Sequence, residues 1–184
     1  MTTDTGTHPA QRTARVTAEH TVLTTRLGEL TIARDGELLT GLYFPHHWYR
    51  PSPASFGPRS DEGFSEVIRQ LGEYLDGTRR DFGLPLDARG TEFQRRVWEL
   101  IAEIPYGHTA SYGDLARRLG ADTDPRDVGA AVGRNPLSIL IPCHRVVGST
   151  GKLTGYAGGL TRKRTLLDLE QAGSPIPACG DRGR

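Results

Sequence analysis

Between residues 21 and 44 the apolar positions fall in short runs separated by turn signals. Residues 21–25 and 29–33 flank Leu27-Gly28, and a third run over 38–44 follows Asp35-Gly36, strong hairpin punctuation. The pattern predicts a small antiparallel sheet. Residues 45–63 are rich in Pro and Ser and have no period, so a loop is expected there. From Phe64 the spacing changes to helical intervals through Val67, Ile68, Leu71 and Leu75, and Gly77 stops it.

After a linking stretch over 81–90, a second helical period runs through Phe93, Val97, Leu100, Ile101 and Ile104. Thr91 with Gln94 three residues on predicts a capping box, and Pro105 closes the helix. Ser111 and Asp114 then precede Leu115, Ala116 and Leu119, with Gly120 as the stop. The next helix has Asp124 as N-cap, Pro125 in first position and Asp127 in the first turn, where a carboxylate suits the positive end of the dipole; Asn135-Pro136 ends it. Two short helices joined by a Gly-containing turn make a helix-turn-helix candidate, although such pairs also occur in ordinary cores. The body of the second, Val128-Gly129-Ala130-Ala131-Val132-Gly133, gives up about 1 kcal/mol of helix propensity per Gly relative to Ala. Small side chains let something bulky come close, either another helix or a nucleic-acid backbone with Arg126 projecting from the first turn.

Length and composition narrow the classes. With 184 residues the chain accommodates one ordinary domain or two small ones. The expected division is a disordered Thr-rich tail over 1–17, an α/β domain over 18–85, a mainly helical domain over 86–173 and a second disordered tail over 174–184. No apolar run approaches the ~18 residues of a spanning helix, and the first residues lack a basic start and apolar middle, so a soluble, cytoplasmic protein without a membrane partner is expected. Two cysteines, Cys143 and Cys179, exclude both a disulfide scaffold and a four-thiolate metal site. The formal charge is +1, but it is unevenly spread: residues 1–85 carry a net −2 and residues 86–184 a net +3. That asymmetry is a weak pointer to nucleic acid on the second half.

The candidate chemistry lies in that half. Residues 137–141, Leu-Ser-Ile-Leu-Ile, read as a short buried strand running into Pro142-Cys143-His144-Arg145-Val146-Val147. A buried cysteine is ordinarily an inert small hydrophobe. Here His144 and Arg145 put cationic or proton-accepting groups beside a thiol of ordinary pKa about 8.5, the direction that favours thiolate. On an extended segment neighbouring side chains point to opposite faces, so a water is expected between Cys143 and His144. Gly155-Tyr156-Ala157-Gly158-Gly159 lacks the spacing and the Lys-Ser/Thr of a phosphate loop and suits close backbone approach to a flat ligand. The last helix starts near Leu160, buries Leu166, Leu167 and Leu169, and stops at Gly173. Glu170 near its end opposes the helix dipole and needs a partner, for which His144 is the candidate.

The run from Asn135 to Val147 containing Pro142-Cys143-His144-Arg145-Val146, with Gly155-Tyr156-Ala157-Gly158-Gly159-Leu160 after it and Glu170 beyond, resembles the O6-alkylguanine-DNA alkyltransferases, also called methylated-DNA–protein-cysteine methyltransferases. The detailed match spans residues 91–170; residues 21–85 match the general pattern of the bacterial members' N-terminal domain. The resemblance implies an α/β fold: a small ribonuclease-H-like N-terminal sheet with a helix, and a mainly helical C-terminal domain holding a helix-turn-helix and the active-site cysteine. It implies a monomeric repair protein whose partner is double-stranded DNA containing O6-alkylguanine. Such a protein flips the lesion out and moves the alkyl group irreversibly, without turnover, onto its own cysteine. Cys143 would be the acceptor, His144 its activator through a water, Glu170 the group orienting His144, and Asn135 the brace of the active-site turn. Tyr112 would assist nucleotide rotation and hydrogen-bond the guanine as charge develops, with Lys163 supporting it. Arg126 would enter the base stack, and Ala130 and Ser149 would also meet DNA. Val146, Tyr156, Ala157 and Lys163 would form the guanine pocket.

No cofactor is implied. Some family members hold structural zinc through N-terminal Cys and His, but the first half of this chain has no cysteine, so no metal is expected and His46-His47 reads as loop. Ala157 stands where other members have Ser, in a contact implied to use the backbone N–H. Two rivals remain: a non-catalytic alkyltransferase-like binder of alkylated DNA, which has no need of a thiol at Cys143, and a Cys-His hydrolase, for which no separate His and Asn/Asp set is evident. Alkyl-group size, O4-alkylthymine activity and cooperativity along DNA are left open.

Overall fold

The alternation in the first half produces three strands, β1 (Ala18–Thr25), β2 (Gly28–Asp35) and β3 (Leu38–Tyr43), paired antiparallel in the order β1-β2-β3. They are seen in a computed structural model that describes residues 18–172. Both expected tails, the helix stop at Gly173 and Cys179 lie outside the described residues. The sheet is buried on both faces. Leu30, Ile32 and Leu42 join the main core, whereas Ala33 and Tyr43 meet Phe56 on the other side. Phe56 comes from the segment expected to be a plain loop, which contains a short 3-10 turn, Pro53–Phe56, laid over that face.

Helix α1 (Ser65–Leu75) follows, with Val67, Leu71, Tyr74 and Leu75 inward, and Gly77 beyond its end takes φ +75°, a conformation that suits Gly. The second half is mainly helical. Helix α2 (Glu92–Ala102) starts at a complete Thr91–Gln94 capping box; β4 (Ala110–Ser111) leads into α3 (Tyr112–Leu119), whose Ser111 N-cap forms a second box with Asp114. Helix α4 (Pro125–Gly133) is capped by Asp124, β5 (Val146–Val147) pairs parallel with β4, and α5 (Leu160–Ala172) ends the described chain. Trp98 of α2 donates its indole N–H to the Ala131 carbonyl of α4 at 2.9 Å, so α4 rests on α2 through a bond as well as packing.

One core runs through both halves, from Leu30 and Tyr74 to Ile101, Leu115 and Leu166. The joint is made along β3. Its Leu39 N–H donates to Pro85 O (2.9 Å) and its carbonyl accepts from Asp87 N–H (2.9 Å), while Leu42 N–H donates to Pro136 O (2.8 Å) and its carbonyl accepts from Ser138 N–H (3.1 Å). The free edge of the sheet, otherwise a row of unpaired groups, is thereby used to hold the segment that leads to Cys143.

That segment departs from expectation. Residues 137–141 form no regular strand; they make single bridges, Leu42 with Leu137 and Ser138 with Ile141, around a tight turn. Asn135 closes the turn, donating from Nδ2 to Ile141 O (2.8 Å) and accepting Leu137 N–H at Oδ1 (3.0 Å). Ile139 at its apex takes φ +72°, the one non-glycine residue with positive φ among the described residues. For a β-branched residue that conformation costs on the order of 1–3 kcal/mol, and the Asn135 clamp and burial of the turn hold it. An apolar run alone does not distinguish a strand from such a turn.

Candidate active site

Cys143 leaves the clamped turn at the start of a single 3-10 turn, Cys143–Arg145, rather than on extended chain. The opposite-face argument for Cys143 and His144 therefore does not apply. Cys143 is 3% exposed. Burial pushes its thiol up to about 11, with the Asn135 side chain, the Lys163 ammonium and nearby backbone N–H groups pulling the other way. The resting group at neutral pH is the thiol. The expectation of a neighbour-favoured thiolate is corrected: burial outweighs the groups around the thiol, and Arg145, adjacent in sequence, is committed elsewhere.

Its guanidinium grips Glu170, with Nε 3.1 and 3.0 Å from the two carboxylate oxygens and Nη2 2.9 Å from Oε1, and Nη1 donates to Ile104 O at 2.6 Å. Glu170 also accepts from the Tyr74 hydroxyl (2.6 Å) and from Gly107 N–H (3.0 Å), and its Oε1 lies 2.8 Å from His144 Nε2. Burial raises the Glu170 pKa, but hydrogen bonds from His144, Arg145 and Tyr74 outweigh it and the carboxyl falls to about 2. The carboxylate set against its own helix dipole thus gains a buried cation and several donors. Gly107 has φ +76°, and a Cβ there would stand 3.3 Å from Glu170 O, so glycine permits this approach.

This network sets the state of His144. Burial lowers its pKa, the Glu170 carboxylate opposes the shift, and the net direction is down, so the ring is neutral at pH 7. An ionised carboxylate can only accept, so Nε2 carries the proton and Nδ1 keeps its lone pair. Nδ1 is buried and has no hydrogen-bond partner. The site therefore holds a buried thiol and, on the next residue, a neutral imidazole with a free basic nitrogen.

The other expected residues surround this pair or lie apart from it. Val146 and Ala157 are buried, as is Tyr156, whose ring meets Phe44 edge-on at 6.2 Å and whose hydroxyl lacks a partner. Tyr112 opens α3 with its ring against Gly129 of α4, and burial raises its phenol pKa while Thr154 acts in the opposite direction. Lys163 differs from expectation. Its ammonium donates to Val146 O (2.6 Å), Thr154 O (2.7 Å) and Gly155 O (3.4 Å), so it reaches Tyr112 only through the 154–155 segment. Burial lowers its pKa to about 8. Arg126, Ala130 and Ser149 are exposed, the first two on α4 and the last in the turn after β5.

Two members of the buried network were not among the expected site residues. Tyr74 comes from the sheet half and follows the helical period of the core face, with only its polar tip as a signal. Arg145 is expected to act beside the thiol, and its guanidinium binds Glu170 instead. Among the described residues no group of three or more His, Cys, Asp or Glu is placed to hold a metal ion, and no helix is long and apolar enough to cross a membrane.

Two family models match the chain: the 6-O-methylguanine DNA methyltransferase ribonuclease-like domain over residues 19–88 and the 6-O-methylguanine DNA methyltransferase DNA binding domain over residues 92–172. A methylated-DNA–protein-cysteine methyltransferase of Mycobacterium bovis is 48% identical over 150 residues, covering 81% of this chain and 90% of the relative. One from Methanosarcina acetivorans is 42% identical over 144 residues, covering 78% and 92%. The crystal structure of Mycobacterium tuberculosis OGT in complex with DNA matches with a TM-score of 0.80 at 43% identity, covering 85% of this chain and 95% of that one.

Proposed function

The chain belongs to the 6-O-methylguanine DNA methyltransferase family, and from that premise we propose that it repairs duplex DNA by taking the alkyl group of O6-alkylguanine onto Cys143 in a single, irreversible turnover. The observation that carries this reading is the buried Cys143 beside a neutral His144 whose second nitrogen is fixed by Glu170.

Sγ attacks the alkyl carbon as the carbon–O6 bond breaks, and the thiol proton passes through a water to His144 Nδ1 and finally to the departing guanine. Glu170 stabilises the imidazolium that forms in between. Because the resting thiol is protonated, the thiolate arises only when a substrate is in place, and an exposed oxidant finds no standing nucleophile. Tyr112 keeps its proton at neutral pH and donates a hydrogen bond to the guanine as negative charge develops. The thioether product has no easy leaving route, so each molecule acts once.

Extrusion of the base costs a few kcal/mol, less for a lesion whose pairing is already weakened. Helices α3 and α4 serve as the helix-turn-helix, with Ala130 and its small neighbours against the minor groove, Arg126 filling the vacated stack and Ser149 on the backbone. Val146, Tyr156 and Ala157 line the guanine pocket, and Lys163 sets its shape by holding the Val146 and Thr154 carbonyls. The protein acts as a monomer, its sheet half over 18–85 supporting the transfer half over 86–173. A non-catalytic binder of alkylated DNA is not favoured, since it needs neither the thiol nor the network behind it.

Duplex carrying O6-methylguanine with a labelled methyl group provides the test. Label is expected on the peptide containing Cys143 at no more than one per protein molecule, and Cys143→Ala is expected to take none. Label elsewhere, or demethylation by the Ala variant, overturns the reading.

A further inference from the structure

Past the last turn of α4 the helical half meets residues 46–49 of the sheet half, and there stands the most exposed large apolar side chain among the described residues. Trp48 is 63% exposed and its neighbour Tyr49 48%. Two adjacent aromatics left in water are unusual for a closed surface. They are firmly mounted. His47 is buried, meets the Tyr43 ring edge-on, accepts Tyr49 N–H at Nδ1 (3.2 Å) and hydrogen-bonds the backbone of Asn135, the residue that clamps the Cys143 turn.

The Trp48 ring spans two parts of the proposed DNA-binding machinery. Its edge lies 3.9 Å from where a Cβ on Gly133 of α4 would stand and 3.5 Å from the equivalent point on Gly155, next to Tyr156. The Arg134 guanidinium lies 4.3 Å from the centroid of the Tyr49 ring, and among the described residues it makes no ion pair.

We propose that Trp48 and Tyr49, with Arg134, extend the DNA-binding face onto the sheet half and hold the lesion-bearing strand beside the extruded nucleotide. The proposal rests on the reading of α4 as the DNA-binding helix. A nucleotide delivered to Cys143 stays joined to its strand, which must leave the pocket past α4 and the 154–158 loop; Trp48 lies alongside both. Arg126 fills the gap left inside the duplex, while beside the pocket an aromatic face can stack on an exposed base of the distorted strand without sequence preference. The guanidinium beside the rings suits a phosphate, whereas an apolar protein partner would leave that charge buried and unpaired.

The chain has two tryptophans, and Trp98 is buried against α4, so the exposed Trp48 reports on DNA. Lesion-free duplex is expected to quench the wild-type emission, and Trp48→Phe to remove most of that quench. With Trp48→Ala the rate on duplex O6-methylguanine is expected to fall at least about fivefold further than the rate with free O6-benzylguanine, the low end of base–aromatic stacking. Trp48→Phe should restore most of the duplex rate, and Tyr49→Ala should show the same asymmetry as Trp48→Ala. Unquenched wild-type emission overturns the proposal, as do equal losses on duplex and free base, which would make Trp48 a pocket wall or a structural residue. A wild-type protein that is quenched yet never labels Cys143 would sink the transfer reading and leave the stacking surface standing.

Discussion

The buried network around Glu170 and the exposed face of α4 serve one proposed reaction but are built in opposite ways. In the network, the Glu170 side chain is fully buried and collects donors from four residues at three separate places in the chain: Tyr74, Gly107, and the adjacent His144 and Arg145. On the face, Arg126 uses its backbone N–H on the Asp124 cap and projects its side chain into solvent. The chemical end is complete before DNA arrives, whereas the recognition end is left for DNA to complete. Preorganised groups act on charge as it forms without reorganising, while exposed side chains retain the freedom needed to probe many undamaged sites.

Removing the centre of the network is the strongest way to break this contrast. Glu170→Ala strands the buried Arg145 cation and frees His144, so a loss of about 3–5 kcal/mol in urea denaturation is expected, with transfer slowed at least about a hundredfold on duplex and free base alike. A variant that lost duplex activity alone would place Glu170 with the recognition face. Arg126→Ala should do the reverse. Its stability should stay within about 0.5 kcal/mol of wild type, while duplex repair drops about tenfold more than reaction with free O6-benzylguanine; equal losses would remove Arg126 from the stack-filling role.

Acid sharpens the same contrast. Glu170 is lowered from 4.5 to about 2, so its contribution is fully present above pH 4.5 and is lost as pH falls toward 2. The amount is on the order of 3 kcal/mol. Over that window Glu170→Gln is expected to lose less stability than wild type, read from denaturation midpoints, and parallel curves would show that the carboxylate is not held by this network. Tyr74→Phe removes one donor to Glu170 and should cost about 1–2 kcal/mol, with a severalfold slower transfer on both substrates. Ser149→Ala marks the small end: duplex binding about threefold weaker, consistent with one exposed hydrogen bond, and an unchanged denaturation midpoint.

The part of this organisation legible in sequence is the part fixed by near neighbours. Both capping boxes, the Asp124 cap and the two hairpins depend on residues within a few positions, and all lie where spacing puts them. The Glu170 partnership with His144 was also readable, because a carboxylate at the wrong end of a helix is a local anomaly. Tyr74 was not: Val67, Leu71 and Tyr74 form an ordinary apolar stripe, and nothing near position 74 announces a carboxylate 96 positions away. Cys143 shows the same limit in reverse: its chain neighbours point to a thiolate, whereas burial decides its protonation. The 137–141 turn was hidden because its apolar composition reports burial, and only the Asn135 clamp discloses the bend.

The hydrogen bonds between β3 and the 136–138 segment carry a further consequence for how the molecule opens. Leu42 N–H and Ser138 N–H belong to different halves, yet each is protected by the other's segment. The two amides should therefore exchange with deuterium in one event, at one free energy, because neither bond can open without freeing both chains. A fragment cut between α1 and α2 would lose more than supporting bulk: the turn that presents Cys143 would be left without its backbone template, and the left-handed Ile139 would be free to relax.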